Sequence, residues 1–386
     1  MAQAKRQKLG KVVNFQLGRG IAAILVAIFH ANVFYTQEYY GQIFSEVLNF
    51  AYARVEFFFV LSGFIMFYIH DRHIGVAGKF KNFLIKRFTR IYPIYWAVCI
   101  PFFAALWWRQ DPADPVTWHD IWTSLLLFPT DHYPLLVPAW TLRIEMLFYL
   151  FFALLLLSKR LGYGLFALWI GGSLYAALTG PISFPMNYLF SSYNVLFVVG
   201  MASAYYVKRH FVPMPGVLTA IGFVSFVVIG LLDTFVFYGA GQDYRILALG
   251  VSVFFIVVGL CGLEQCGIRS PKSLEFIGNA SYSIFLVHGP TMAILGVLLQ
   301  KFGLIEVLSP GAFFFLMTSV GIIAGGVFYV TMEKRIVNLV RVLLERGKEK
   351  QAKGEAVGAL ATADGQHVLG GGAPMLRSPR PSTSSG

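Results

Sequence analysis

LGRGIAAILVAIFHANVFY, residues 17–35, is the stretch on which the reading of this chain turns. It is long and apolar enough to cross a hydrocarbon layer of ~30 Å as a helix. It carries Arg19 and His30, and no small-residue cleavage site follows it, so it reads as a retained helix and not as a secretory signal. The rest of the chain repeats the theme. Hydrophobic residues make up 57% of it and charged residues 13%, about half the charge of a typical soluble domain at ~25%. That is too little to cover a water-facing surface. The 37 Phe and 19 Tyr suit rings placed at bilayer interfaces.

Apolar segments recur at 17–35, 54–70, 91–108, 139–157, 163–180, 192–207, 217–238, 245–263, 279–300 and 312–331. The expected fold is therefore an all-α polytopic integral membrane protein with about ten transmembrane helices. The segment VTWHDIWTSLLLF, residues 116–128, is apolar but holds His119 and Asp120, and reads as interfacial or re-entrant. If the N-terminus is cytoplasmic, 26 of the 31 Lys and Arg fall on the inner side, and the alternation of basic loops places both termini inside. The +12 net charge, which in a soluble protein would suggest nucleic acid, is absorbed by this bias, and no nucleic-acid partner is expected. Residues 1–13 read as a basic cytoplasmic N-terminus, 14–344 as the membrane domain and 345–386 as a disordered cytoplasmic tail rich in Gly, Ala, Pro and Ser. Cys99, Cys261 and Cys266 form no disulfide framework, and no zinc-type spacing is present, so no metal is expected.

Ionisable residues inside a membrane are costly and usually functional. Arg19 and His30 lie about three helical turns apart, on one face and about 16 Å from one another along the axis. Arg19 alone reads as a snorkelling anchor. His30 is either a buried histidine bonded to a nearby carbonyl or a general base. The stretch WTLRIEMLFY, residues 140–149, puts Glu145 at a depth similar to His30. A carboxylate there needs a partner, and both His30 and Arg143 are candidates, although Arg143 and Glu145, two apart, point to different faces. In FFFVLSGFIM, residues 57–66, Ser62-Gly63 suits close helix packing, while Glu56 just before it reads as interfacial. In the loop KRFTRIYP, residues 86–93, Arg87 and Arg90 would share a face if helical and would suit a phosphate. The stretch GNASYSIFLVH, residues 278–288, brings Ser281, Tyr282 and a second intramembrane histidine, His288. His119 and His132 fall in an outer loop where solvent exposure is the default.

Taken in order, these motifs resemble the family of membrane O-acyltransferases called acyltransferase family 3, which O-acetylate bacterial exopolysaccharides and O-antigens. The resemblance covers residues 14–335. It rests on Arg19 followed by His30, the 57–66 stretch, Arg87 and Arg90 before Tyr92-Pro93, the 140–149 stretch with Glu145, and the 281–288 stretch. It implies acetyl-CoA as donor and a carbohydrate acceptor, either a polysaccharide or a lipid-linked saccharide. It further implies catalytic roles for His30 and Glu145, donor binding by Arg19, Arg87 and Arg90, and support from Ser62, Arg143, Ser281, Tyr282 and His288. In a bacterium the compartment would be the inner membrane. Arg143 departs from the uncharged polar residue common at its position. The appended hydrolase-like domain of some relatives is not expected. The competing class is a transporter of a glycan intermediate or anionic solute, with His and Glu as a proton relay; it predicts matching interrupted halves, and none stands out.

Overall fold

Inside a hydrocarbon layer every backbone N–H and C=O must find its partner within the protein, and a helix meets that demand within one segment. The computed structural model describes residues 13–109, 115–180, 182–237, 242–347 and 349, and among these no strand occurs. The expected basic N-terminus and most of the expected disordered tail lie outside the described residues. The helices are α1 (Asn14–Phe29), α2 (Val55–His70), α3 (Phe80–Arg109), α4 (Trp118–Leu125), α5 (Trp140–Leu157), α6 (Lys159–Thr179), α7 (Tyr193–Arg209), α8 (Pro215–Leu232), α9 (Gln242–Gln265), α10 (Lys272–Lys301) and α11 (Pro310–Phe328). The described residues up to Lys334 form one compact unit, and the described residues beyond it belong to a second, in which 335–347 are helical.

Nine described helical segments are long and apolar enough to cross a membrane. The chain is thus an all-α, multi-pass membrane protein. The expected span at 192–207 is α7, whose 17 residues leave it outside those nine. Large apolar side chains such as Leu168 on α6, Phe223 on α8 and Ile323 on α11 are exposed, as lipid-facing positions require.

One expected boundary and one expected burial change. The third span begins at Phe80, not at residue 91, so Arg87 and Arg90 sit on a helix and not in a loop. The reason is a helical-period row of buried residues, Phe83, Arg87, Ile91, Ile94 and Val98, which continues the apolar face through the basic segment. Glu56, read as interfacial, is fully buried in α2. The 116–128 segment folds back along α3. Trp118 meets Trp107, and Tyr92, Tyr95 and Trp96 of α3 donate to the carbonyls of Leu126, Ser124 and Leu125. These bonds satisfy the end of α4, where backbone carbonyls have no helical partner.

Helix α1 is anchored at its start by Glu264 from the end of α9, whose two carboxylate oxygens accept from the backbone N–H groups of Val13 and Asn14. A negative charge there also suits the positive end of the helix dipole. At its other end α1 runs on as a π-helical stretch, His30–Thr36, so His30 opens the widened turn. Such π segments occur often at functional sites.

Small residues let the helices approach backbone to backbone. Gly63 of α2 lies against the Phe197 carbonyl of α7, and Gly200 of α7 lies against the Val60 carbonyl of α2. Gly20 of α1 and Gly278 of α10 make a second such crossing, where Gly278 faces the Gln16 carbonyl. A side chain at Gly200 would have to displace backbone. Gly200→Val should therefore destabilise the bundle by about 1–3 kcal/mol. Gly164→Ala, with nothing within 4 Å of its added methyl, should leave stability unchanged or slightly raised. Thermal unfolding of both variants in one detergent checks this; a Gly200→Val midpoint equal to wild type would remove the crossing from the account.

Candidate functional site

Three guanidiniums and two carboxylates gather where α1, α3, α5, α10 and the turn after α11 meet. Glu145 on α5 accepts hydrogen bonds from Ser62 Oγ on α2 at 2.7 Å and from Tyr149 OH, one turn along α5, at 2.5 Å. Arg87 on α3 is buried and lies over the rings of Tyr149, at 5.9 Å, and Phe83, at 5.6 Å. Arg19 on α1 is half-buried and donates to Gln16 Oε1 at 3.4 Å. It feels the charges of Arg90, Glu333 and Glu145. Arg90 keeps its exposure, so the cluster opens to an approaching group. Glu333 is bonded by Ser283 Oγ of α10, and Tyr282 OH donates to the Ile91 carbonyl of α3 at 3.1 Å. With three cations against two carboxylates, the cluster suits an added anion such as a phosphate or pyrophosphate.

Further along α1 and α10 lie the two histidines. His30 Nδ1 is 2.8 Å from the Val26 carbonyl, and His288 Nδ1 is 2.9 Å from that of Ile284. A carbonyl only accepts, so in each neutral ring Nδ1 carries the proton and Nε2 the lone pair, a tautomer assigned from these bonds. The two rings meet edge to face at 4.8 Å, and Phe34 stacks on His30 at 5.2 Å. Both histidines are buried. The carbonyl-bonded reading of His30 is thus correct for Nδ1, and it leaves the basic nitrogen as Nε2.

The residues singled out from sequence fall into three groups. Arg19, Arg87, Arg90, Glu145, Ser62 and Tyr282 come together. His30 and His288 form their own pair, and Ser281 is buried on α10 with its Oγ unbonded among the described residues. Arg143 points elsewhere. Its Nη1 donates to Thr130 Oγ1 at 2.9 Å and to the His132 carbonyl at 2.8 Å, and its own carbonyl accepts from Tyr188 OH. The direct His30–Glu145 hydrogen bond expected from their similar depths is not found among the described residues. Glu145 turns toward the arginines, and Val26 orients the imidazole instead.

Two residues of the cluster carried no role in the sequence reading. Tyr149 stands four residues after Glu145, a spacing that places both on one helix face, so its part was legible. Glu333 sits at the end of the chain's last apolar run beside Lys334 and Arg335, and reads as part of a basic inner segment. Only the π-helical turn Tyr329–Glu333 after α11 brings it to Ser283.

A helical membrane bundle that holds an arginine-lined anion cluster and a carbonyl-oriented histidine pair has the parts of a group-transfer enzyme. The acyltransferase domain of family 3 matches residues 12–330, and the chain belongs to that family: it is a membrane acyltransferase. It is similar to the exopolysaccharide production protein ExoZ of Rhizobium meliloti strain 1021, with 31% identity over 332 aligned residues covering 80% of this chain and 94% of the relative. None of the solved structures compared matches the chain.

Ser62 and Tyr149 share one carboxylate oxygen, so their contributions should couple. Ser62→Ala and Tyr149→Phe should each cost about 1–3 kcal/mol of stability, because each removes a hydrogen bond to a charged group. The double variant should depart from additivity by about 0.5–3 kcal/mol. Thermal unfolding in detergent reads the cycle; strict additivity would mean that the two hydroxyls do not meet at Glu145.

Proposed function

We propose that this acyltransferase moves an acetyl group from acetyl-CoA to a sugar hydroxyl of an exopolysaccharide or other cell-surface glycan, in the inner membrane of its host. The observation that carries the reading is the spacing along α1. Arg19 belongs to the anion cluster, and His30 lies about 16 Å further along the same helix, a separation suited to a donor anchored by its phosphates and reactive at the far end of a long arm. Arg19, Arg87 and Arg90 would hold the phosphates. Glu145, fixed by Ser62 and Tyr149, would keep the guanidiniums in register and reduce their mutual repulsion. The similarity to a Rhizobium exopolysaccharide production protein supports an exopolysaccharide acceptor.

In the proposed step the acceptor hydroxyl oxygen attacks the thioester carbonyl carbon while His30 Nε2 takes its proton. The tetrahedral intermediate collapses with cleavage of the C–S bond. The departing thiolate recovers the proton from the imidazolium, leaving a sugar ester and free CoA. His30 is suited to this because its Nδ1–H is held by Val26, which aims the ring and keeps the lone pair on Nε2. His288, packed edge-on, restricts the ring to one orientation.

The test is the O-acetyl content of surface polysaccharide, by proton NMR, in a knockout complemented with wild type, His30→Ala or Glu145→Gln at matched membrane expression. Wild type should restore the acetyl signals and both variants should lose nearly all of them. Equal restoration by all three would make both residues structural. A change in polysaccharide export without any change in acetylation would favour transport instead.

The reading also requires the arginine cluster to face the cytosol, where acetyl-CoA is found, with both termini on that side. Cys266, just beyond α9 and close in sequence to Glu264, is the exposed cysteine of the three; Cys99 and Cys261 are buried. A membrane-impermeant maleimide should therefore label Cys266 in inside-out vesicles and not in intact spheroplasts. Labelling from the outside would invert the orientation and with it the side from which the donor enters.

A further inference from the structure

Away from the arginine cluster, where α4 begins beside Trp107 near the far end of α3, three metal-ligating side chains converge. His119 and Asp120 stand in the first turn of α4, and His132 stands in the return segment between α4 and α5. His132 Nε2 is 3.3 Å from Asp120 Oδ1, and His119 Nδ1 is 4.0 Å from the same oxygen. One donor atom from each of the three residues lies within 4.8 Å of the others.

Two of the three donors are held from behind. Asp120 Oδ2 accepts from the Thr117 backbone N–H at 2.9 Å and from its hydroxyl at 2.5 Å, the capping box of α4, which leaves Oδ1 facing the imidazoles. Burial opposes ionisation of Asp120, but these hydrogen bonds and the neighbouring histidines outweigh it and hold its carboxyl below the usual carboxylate range. Asp131 Oδ1 lies 2.9 Å from His132 Nδ1. A carboxylate on the far nitrogen of an imidazole is the usual outer partner of a metal-ligating histidine, since it sets the tautomer with the lone pair on Nε2. The His132 carbonyl is gripped by the buried Arg143 at 2.8 Å and by Thr130 Oγ1 at 2.9 Å. Two imidazoles and one carboxylate, with bonds near 2.0–2.2 Å, form a donor set that suits Zn²⁺ and leaves a fourth position open. Around a tetrahedral ion such donors stand about 3.3 Å apart, so the His132–Asp120 pair is already at that spacing. The exposed His119 ring has room to close the remaining gap.

We propose that His119, Asp120 and His132 bind one Zn²⁺ ion, which clamps the start of α4 to the return segment that Arg143 holds to α5. The clamp fixes the re-entrant segment independently of the anion cluster and the histidine pair.

The experiment uses the full-length protein with a tag free of histidine, stripped by chelator in detergent at pH 7.5 and titrated with Zn²⁺ alone against a chromogenic competitor. Wild type should take up one equivalent and gain thermal stability as it does. His119→Ala and His132→Ala should each weaken binding more than 100-fold, and Asp131→Asn about 10–100-fold. His73→Gln should bind as wild type does; it removes a member of another close pair, His70–His73, whose Nδ1 atoms are 3.3 Å apart. Should His132→Ala fail to fold, the exposed His119→Ala carries the comparison, with folding checked by the metal-free melting curve. Absence of saturable binding, or equal binding by His119→Ala and wild type, overturns the site and leaves His132 simply bonded between Asp120 and Asp131.

Discussion

A charge buried in an apolar bundle is tolerated only when another group answers it, and the interior of this protein is organised around that requirement. Glu145 is the pivot. It draws a hydroxyl from α2 and one from its own helix, and it sits in the field of two arginines, Arg19 of α1 and Arg87 of α3. Glu333 balances the same cluster from the turn beyond α11, bonded by Ser283 of α10. Five helices and one turn thus converge on a single electrostatic problem. Net attraction in such a cluster depends on geometry, because desolvation removes much of what the Coulomb term adds. The glycine crossings at Gly63–Gly200 and Gly20–Gly278 supply that geometry by bringing the helices to backbone contact.

The histidine pair answers a different demand. Carbonyls of the preceding helical turn hold Nδ1 of both His30 and His288 and so direct each neutral ring's lone pair to Nε2. The arginine cluster and the imidazoles are two separate pieces strung along α1 and its π-helical continuation. The anchoring of α1 by Glu264 and Asn14 at its start keeps the two in fixed relation, since Arg19 and His30 ride on the same rod. Arg143, two residues from Glu145, serves neither piece. Its helix face turns toward the 130–132 segment, where it ties the return from α4 to α5.

Much of the plan was open to a reading of the sequence. The apolar runs gave the helices, the lone charges within them marked the site, and the three-residue spacing of Arg87 and Arg90 predicted a shared face. Other features could not be read there. The start of α3 at Phe80 was hidden because basic residues break an apolar run without breaking a helix. Glu333 was hidden because a carboxylate beside Lys334 and Arg335 looks solvated until the fold places Ser283 beside it.

By itself the sequence determined that the chain is a bundle of membrane-crossing helices, because composition and run length leave backbone groups no other way to be satisfied. It also marked His30 and His288 as buried, because an apolar neighbourhood is a local property, although Glu56 and Arg87, at the edges of apolar runs, escaped that reading. What only the tertiary structure decided was who meets whom. Depth along two helices suggested that Glu145 would meet His30, but depth says nothing of rotation about each axis. The packing of α2, α3 and α5 turns Glu145 toward Ser62, Tyr149 and the arginines, while α1 and α10 bring His30 against His288. Pairing across helices depends on rotation and crossing, and those are set by contacts between residues far apart in the chain.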